Sequence, residues 1–287
     1  NKGPQLKEED VKILQEWIET KKYYIIEVDD LDLIFFLCEC DFNVEKAKKR
    51  IIGTTVFRSR ARIFQDLDVK SDNLKVAMET ILLSHIQPKD RDSCDMMIFL
   101  RILAKDAKQI DISNLIKVML MYVYLVFRGL EPPVNHVIIV DLEVVTLAHL
   151  TALDLRTLRE LSCFYNHFYF GTLSQIHFIN TGPWIDQLLS LLKSTMGRGF
   201  SEKICVHRDA NNLHEFISLE HLPKELGGNF LSFQQMHEAM KELLERHADE
   251  LLNKYKMQSS EILQIESSYS EPDLFGLDGT FKQLEVD

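Results

Sequence analysis

Four short apolar runs, rich in β-branched and aromatic residues, alternate with longer helical patterns through the middle of the chain. The apolar runs cover residues 96–103, 137–142, 175–180 and 203–207. The helical patterns between them cover 113–127, 154–168 and 183–196. Buried strands that alternate with helices of this length are joined by right-handed crossovers. The pattern therefore predicts an α/β domain with a mostly parallel sheet covered by helices.

The first part of the chain has a different periodicity. Apolar residues recur every three or four positions in 8–22, 29–40 and 44–64, which is typical of amphipathic helices. A charged helical pattern at 232–255 follows the last predicted strand. We therefore predict an amino-terminal helical bundle over 1–85 and the α/β domain over 86–257.

Residues 258–287 are rich in serine and acid, yet they space several large apolar side chains. These are Leu274, Phe275, Leu277, Phe281 and Leu284. A freely solvated tail seldom carries so many large apolar groups. We predict that 258–287 is a carboxy-terminal tail that docks on the protein surface.

The charge and the cysteines restrict the partners and the compartment. Acidic residues outnumber basic ones by 44 to 33, a net charge of −11, which argues against a nucleic-acid partner. The five cysteines show no regular spacing, as expected for a reducing compartment, so we predict a cytoplasmic protein. The longest apolar run, 118–127, is too short to span a bilayer and predicts a helix buried on nearly all sides.

The sequence motifs of common enzymes are missing. There is no Gly-x-Ser-x-Gly, no Gly-Lys-Ser/Thr and no histidine pair at metal-binding spacing, and no cofactor is predicted. Asp141 and Glu143 follow a predicted strand, where a carboxylate more often pairs with a base or caps a helix than reacts. His177 lies within an apolar strand and is interpreted as a hydrogen-bonded core histidine. We therefore predict that the protein is not an enzyme.

One helical pattern allows two interpretations. Trp184, Leu188, Leu189, Leu192 and Met196 form an apolar stripe that is followed by Gly197-Arg198-Gly199. The stripe fits plain core packing. It also fits a mobile helix that covers a lipophilic cavity over the sheet.

Four ordered segments resemble the CRAL-TRIO lipid-binding family, in the branch of cellular retinaldehyde-binding protein and alpha-tocopherol transfer protein. Residues 30–51 resemble its amino-terminal helical motif, and 137–143 resemble its strand ending in Asp-Leu-Glu. Residues 176–180 match its Ile-His-Phe-Ile-Asn strand, and 222–228 resemble Leu-Pro-x-Glu-Tyr-Gly-Gly. The ending 275–287 is similar to arthropod members.

The resemblance implies a carrier of a small hydrophobic ligand, of the retinoid, carotenoid, tocopherol or isoprenoid class. In such proteins the ligand lies between the sheet and helical walls, under a mobile gate helix that makes transient contact with a membrane. Tyr122 and Tyr165 are the candidates for binding the ligand's polar group. The resemblance implies these ligand-binding residues: Leu115, Val118, Met119, Tyr122, Val140, Leu161, Phe164, Tyr165, Ile176, Phe178, Leu188, Leu192 and Met196.

The departures from the family pattern concern charge. Phosphoinositide-responsive relatives carry basic residues where this chain has Cys38, Glu39 and Cys40, and again at Thr172 and Ser174. Capture of a phosphoinositide head group needs several cations, so that property is in doubt. The alternative hypothesis is a protein-interaction module of the same fold that has lost lipid transfer.

Overall fold

The computed structural model describes residues 5–21, 26–88, 96–130, 132, 134–210, 213–215 and 217–255. The described chain forms two compact units. Among the described residues, the helical unit comprises those up to Asp66, Arg159–Phe170, Lys254 and Tyr255. The sheet unit comprises Leu67–Leu158 and Gly171–Asn253. The predicted tail, 258–287, lies outside the described residues.

The helical unit begins with three helices that the sequence pattern predicts. They are α1 (Glu8–Glu19), α2 (Asp30–Glu39) and α3 (Val44–Arg60). Asp29 and Asp32 form a reciprocal capping box at the start of α2, and Asn43 caps α3 by accepting the Lys46 backbone N–H. Their apolar faces meet in a core centred on residues such as Leu14, Phe36 and Ile51, which packs the three helices into a bundle.

The described part of the sheet unit contains five strands, which lie in the sheet in the order of the sequence. They are β1 (Ile81–Ile86), β2 (Met96–Ile102), β3 (Asn135–Asp141), β4 (Thr172–Ile179) and β5 (Ile204–Val206). Strands β2 to β5 are parallel, and β1 pairs antiparallel with β2 at one edge. The prediction of a mostly parallel sheet is therefore confirmed, and β1 is an addition that the sequence pattern did not predict.

Helices precede, connect and follow the strands. They are α4 (Asp72–Thr80), α5 (Ile112–Phe127), α6 (Leu147–Thr151), α7 (Leu155–His167), α8 (Ile185–Met196), α9 (Arg198–Ser201), α10 (Phe233–Arg246) and α11 (Ala248–Tyr255). No helix in the described part of the chain is both long and apolar enough to cross a membrane.

The sheet unit begins before its first strand. Residues 67–85 belong to the sheet unit, because α4 packs on α5 and β1 joins the sheet. Helix α7 contributes residues to both units, since the division falls between Leu158 and Arg159.

Candidate functional site

One face of the sheet is almost wholly apolar. The register aligns Leu83, Leu100, Val140, Phe178 and Val206 across the five strands in one row. A second row on the same face aligns His85, Ile98, Ile138, Ile176 and Ile204. We call these two rows the apolar face. Side chains alternate along a strand, so Phe99, Ile139 and His177 point to the opposite face.

The opposite face is sealed by the carboxy-terminal part of the sheet unit. Phe99, Ile139 and Ile179 are each 0% exposed, and they form one core with Leu222 and Met236. Helix α10 supplies Met236 and also covers β1. We call this the covered face.

The apolar face is not sealed in the same way. Leu100, Ile138, Val140 and Ile204 are only partly buried, and Val206 is 42% exposed. Leu100, Ile138 and Val140 lie on central strands, where apolar side chains are normally fully packed. A row of accessible apolar side chains in the middle of a sheet is a surface that an apolar ligand can cover.

Helices α5 and α8 lie on the side of the apolar face. The parallel strands progress in one direction across the sheet, so right-handed crossovers place both connecting helices on the same side. Contacts support this for α5, because the Tyr122 hydroxyl lies 2.9 Å from His85 Nδ1. The Phe127 ring also meets His136, with ring centroids 5.6 Å apart.

The structure brings together part of the predicted ligand-binding set. Val140 and Phe178 are register partners on the apolar face, and Ile176 lies in the adjacent row. On α8, Leu188 and Met196 are buried while Leu192 is half-buried. On α5, Leu115, Val118 and Tyr122 are buried while Met119 is half-buried. All ten of these residues belong to the sheet unit.

The other three predicted residues, Leu161, Phe164 and Tyr165, belong to the helical unit. There, the Phe164 ring lies 5.2 Å from Phe64 and 6.4 Å from Phe57, measured between centroids. Phe164 is thus part of an aromatic cluster that is formed with α3 and the chain following it.

The Tyr122 hydroxyl already has protein partners. Besides His85 Nδ1 it is hydrogen-bonded to Ser84, and burial raises the pKa of the phenol well above its usual value. Burial likewise lowers the pKa of the His85 imidazole. Strand β1 lies at the edge of the sheet, where backbone groups lack a neighbouring strand. Tyr122 and Met240 cover this edge, and the Met240 sulfur accepts a hydrogen bond from the Leu83 backbone N–H.

Leu100, Ile138 and Ile204 were not predicted as ligand-binding residues. Their apolar character was visible in the sequence, but their common face depends on strand register. Val137–Val140 is a continuous apolar run without alternation, so the pattern alone assigns no face to any member.

A cleft of about 490 Å³ lies at the end of β1 and includes His85, the outermost residue of the apolar face. It is lined by His85, Ile86, Gln87, Glu220, His221 and Phe230. None of the thirteen predicted ligand-binding residues lines it. Three of its six side chains are ionisable, so it differs chemically from the apolar face.

The polar residues considered as catalytic candidates have structural partners. Asp141 is 0% exposed, pairs with Arg101, and accepts hydrogen bonds from Asn180 Nδ2 at 2.9 Å and the Glu143 backbone N–H at 3.1 Å. His177 Nδ1 lies 3.0 Å from His207 Nε2. Among the described residues, no three His, Cys, Asp or Glu side chains form a potential metal site.

Lys203, Arg198 and Arg208 are the cations nearest to the positions where phosphoinositide-responsive relatives carry basic residues. Lys203 Nζ donates to the Leu173 carbonyl, and Arg198 pairs with Glu202 at 2.9 Å between Nε and Oε1. These two cations belong to the sheet unit, and each already interacts with one protein group.

Residues 86–228 match the model of the CRAL/TRIO domain. The structure is similar to the crystal structure of Sfh5, with a TM-score of 0.54 and 12% sequence identity over 84% of this chain and 96% of that chain. At that identity the likeness supports the fold alone. The search of curated proteins finds no significant match. Residues 86–228 of this chain form a CRAL/TRIO domain.

Proposed function

We propose that the sheet unit binds a small lipophilic ligand over the apolar face and transfers it between membranes. CRAL/TRIO domains generally bind and transfer ligands of this kind. The observation that carries the proposal for this chain is the contrast between the two faces of the sheet. Ile139 is fully buried on the covered face, whereas its neighbour Ile138 on the apolar face remains accessible.

The energy of binding would come mainly from apolar burial. Removing apolar surface from water contributes about 25 cal/mol per Å², so covering about 200 Å² of floor contributes about 5 kcal/mol. In our proposal Val140, Ile176 and Phe178 form the floor. Leu115, Val118, Met119 and Tyr122 of α5 contribute one wall. The ligand class we propose is a retinoid, carotenoid, tocopherol or isoprenoid.

Helix α8 is the proposed gate. Leu188, Leu192 and Met196 recur every four residues and so share one side of the helix. The helix ends at Gly197, whose φ of 86° is a conformation that glycine adopts without strain. We propose that α8 closes over the ligand and opens during transient contact with a membrane. The predicted cytoplasmic location fits this role, which needs no covalent chemistry.

We propose that membrane contact depends little on phosphoinositides. Only three cations lie near the expected positions, and two of them, Arg198 and Lys203, already interact with protein groups, while the third is Arg208. Capture of a multiply charged head group requires several free cations, and apolar contact through α8 would have to supply the attraction instead.

The test is ligand uptake by a pair of variants on α8. Delipidated protein would be titrated with retinol, α-tocopherol and a carotenoid, with native mass spectrometry reporting the stoichiometry. We expect one lipid per chain for the wild type. Leu192→Glu should lower affinity at least tenfold, because a charge would enter the apolar wall.

Ser190→Glu is the matched control, since it places the same charge on an exposed position of the same helix. Equal uptake by both variants would remove α8 from the site. Failure of the wild type to take up any lipid would instead support the alternative, an interaction module that has lost lipid transfer.

A further inference from the structure

The cleft at the end of β1 is held in shape by the chain that forms its other side. Phe230 donates its backbone N–H to the Leu222 carbonyl at 2.9 Å. Gly228 allows this close return of the chain, because a Cβ atom there would lie 2.0 Å from the Leu222 carbonyl oxygen. The return brings Phe230 into the same cleft as Glu220 and His221, so the cleft is formed without a ligand.

Several polar side chains of the cleft are not used by the protein itself. His85 Nδ1 lies 2.9 Å from the Tyr122 hydroxyl, but within the described part of the chain its Nε2 atom has no hydrogen-bond partner. Across the same residues, the side chains of Gln87 and His221 make no hydrogen bond either. These groups are therefore available to a ligand, whereas the polar residues considered as catalytic candidates have structural partners.

Electrostatics favours a cation in this cleft. Glu220 supplies a carboxylate. Burial lowers the pKa of the His85 imidazole, which is therefore uncharged at neutral pH and does not repel a cation. The Phe230 ring attracts positive charge to its face. The net charge of −11 of the whole chain also favours the approach of cations over anions.

The side chains of the cleft suit an organic ammonium better than a metal ion. Among the described residues, no three His, Cys, Asp or Glu side chains form a potential metal site. A primary ammonium has three N–H donors, which can reach separate acceptors such as the Glu220 carboxylate and the Gln87 amide oxygen. Ile86, only 5% exposed, and the half-buried Phe230 provide apolar surface for a carbon skeleton.

We propose that this cleft binds a small primary amine with an apolar tail. The ammonium group pairs with Glu220, and the carbon skeleton lies against Ile86 and Phe230. The volume of about 490 Å³ is within the usual range of small-molecule sites. Lipid uptake on the apolar face is not required for this binding, because neither Val140 nor Phe178 lines the cleft.

The test uses two probes that share a carbon skeleton and differ in charge, phenethylamine and phenethyl alcohol. Each would be titrated into the full chain at neutral pH, with Kd measured by NMR. The amine should bind roughly tenfold more tightly than the alcohol, because only the ammonium group gains the ion pair and the cation–π contact. Equal affinities would overturn the preference for a cation. A titration of the amine that does not saturate would overturn the site.

Three variants locate the bound amine. Glu220→Gln removes the carboxylate charge and should weaken amine binding about fivefold, with no change in the Kd of the alcohol or in lipid uptake. Glu245→Gln is the matched control, since it removes the same charge from an exposed position of α10 and should leave both Kd values unchanged. Phe230→Leu keeps an apolar side chain without the ring face, and should weaken amine binding about threefold. Equal amine affinities of Glu220→Gln and Glu245→Gln would overturn the assignment of the amine to this cleft.

Discussion

Two adjacent isoleucines on β3 allow the packing on the two faces of the sheet to be compared, because the side chains are identical and lie on the same strand. Ile138 and Ile139 are consecutive residues that point to opposite faces. Ile139 is 0% exposed, whereas Ile138 is partly exposed. Replacing each with alanine removes the same atoms and makes nearly the same change in strand propensity. The two variants therefore differ mainly in what covers each side chain.

The expected magnitudes follow from this burial. A fully buried isoleucine replaced by alanine typically costs 2–5 kcal/mol, and we expect Ile139→Ala to lose about 3 kcal/mol. Ile138 has less surface to lose, so we expect about 1 kcal/mol without ligand. A ligand over the apolar face would cover the remainder. Ile138→Ala should then weaken binding by about 1 kcal/mol, roughly fivefold in Kd, while Ile139→Ala leaves Kd unchanged.

Urea unfolding of delipidated protein measures the difference in stability between the two variants. Titration with the lipid that binds best in the uptake panel measures the difference in Kd. The free energies of unfolding can be compared only if their slopes against urea concentration are equal for the two variants. Equal losses of stability would contradict the difference in packing. An unchanged Kd for Ile138→Ala would show that the ligand does not rest on this face.

Three further predictions concern polar groups of the sheet unit. Tyr122→Phe should lower the free energy of unfolding in urea by about 1 kcal/mol, because it removes the hydrogen bond to His85. Lipid affinity should change little, because the hydroxyl is bonded to the protein. Burial lowers the pKa of His136 to about 4, so below pH 6.5 the unfolded chain binds the extra proton and stability falls, by about 3 kcal/mol at pH 4. His136→Asn should flatten that part of the pH profile of urea unfolding. Asp141→Asn should cost about 2 kcal/mol in the same assay, because it removes the buried one of the two carboxylates that pair with Arg101, and Glu143 remains as the other.

Most helices and the parallel strands were predictable because their patterns are regular. The apolar run at 118–127, for example, lies within α5, where it is largely buried. Strand β1 was not predictable in this way. It follows α4 with no intervening loop, so no turn residue separates the helical period from the strand.

The candidate site was only partly predictable, because it depends on register and on which side of a helix meets which partner. Val140, Ile176 and Phe178 share a face once β3 and β4 are paired, but a one-residue slip would have reversed the assignment. Helix α7 carries apolar residues along its whole length, and the sequence does not show that the two units divide between Leu158 and Arg159. The contacts of Phe164 with Phe57 are non-local, and the sequence pattern contains no signal for them.

Photoaffinity labelling tests the central claim most directly. A diazirine-bearing analogue of the bound lipid would be photolysed on the intact protein, and the labelled residues would be mapped by peptide mass spectrometry. The account predicts saturable labelling of β3 and β4 at Val140 or Phe178, together with α8, and its loss when unmodified lipid is in excess. Labelling that does not saturate, or that falls on exposed apolar side chains such as Leu147, would contradict a lipid site on the apolar face.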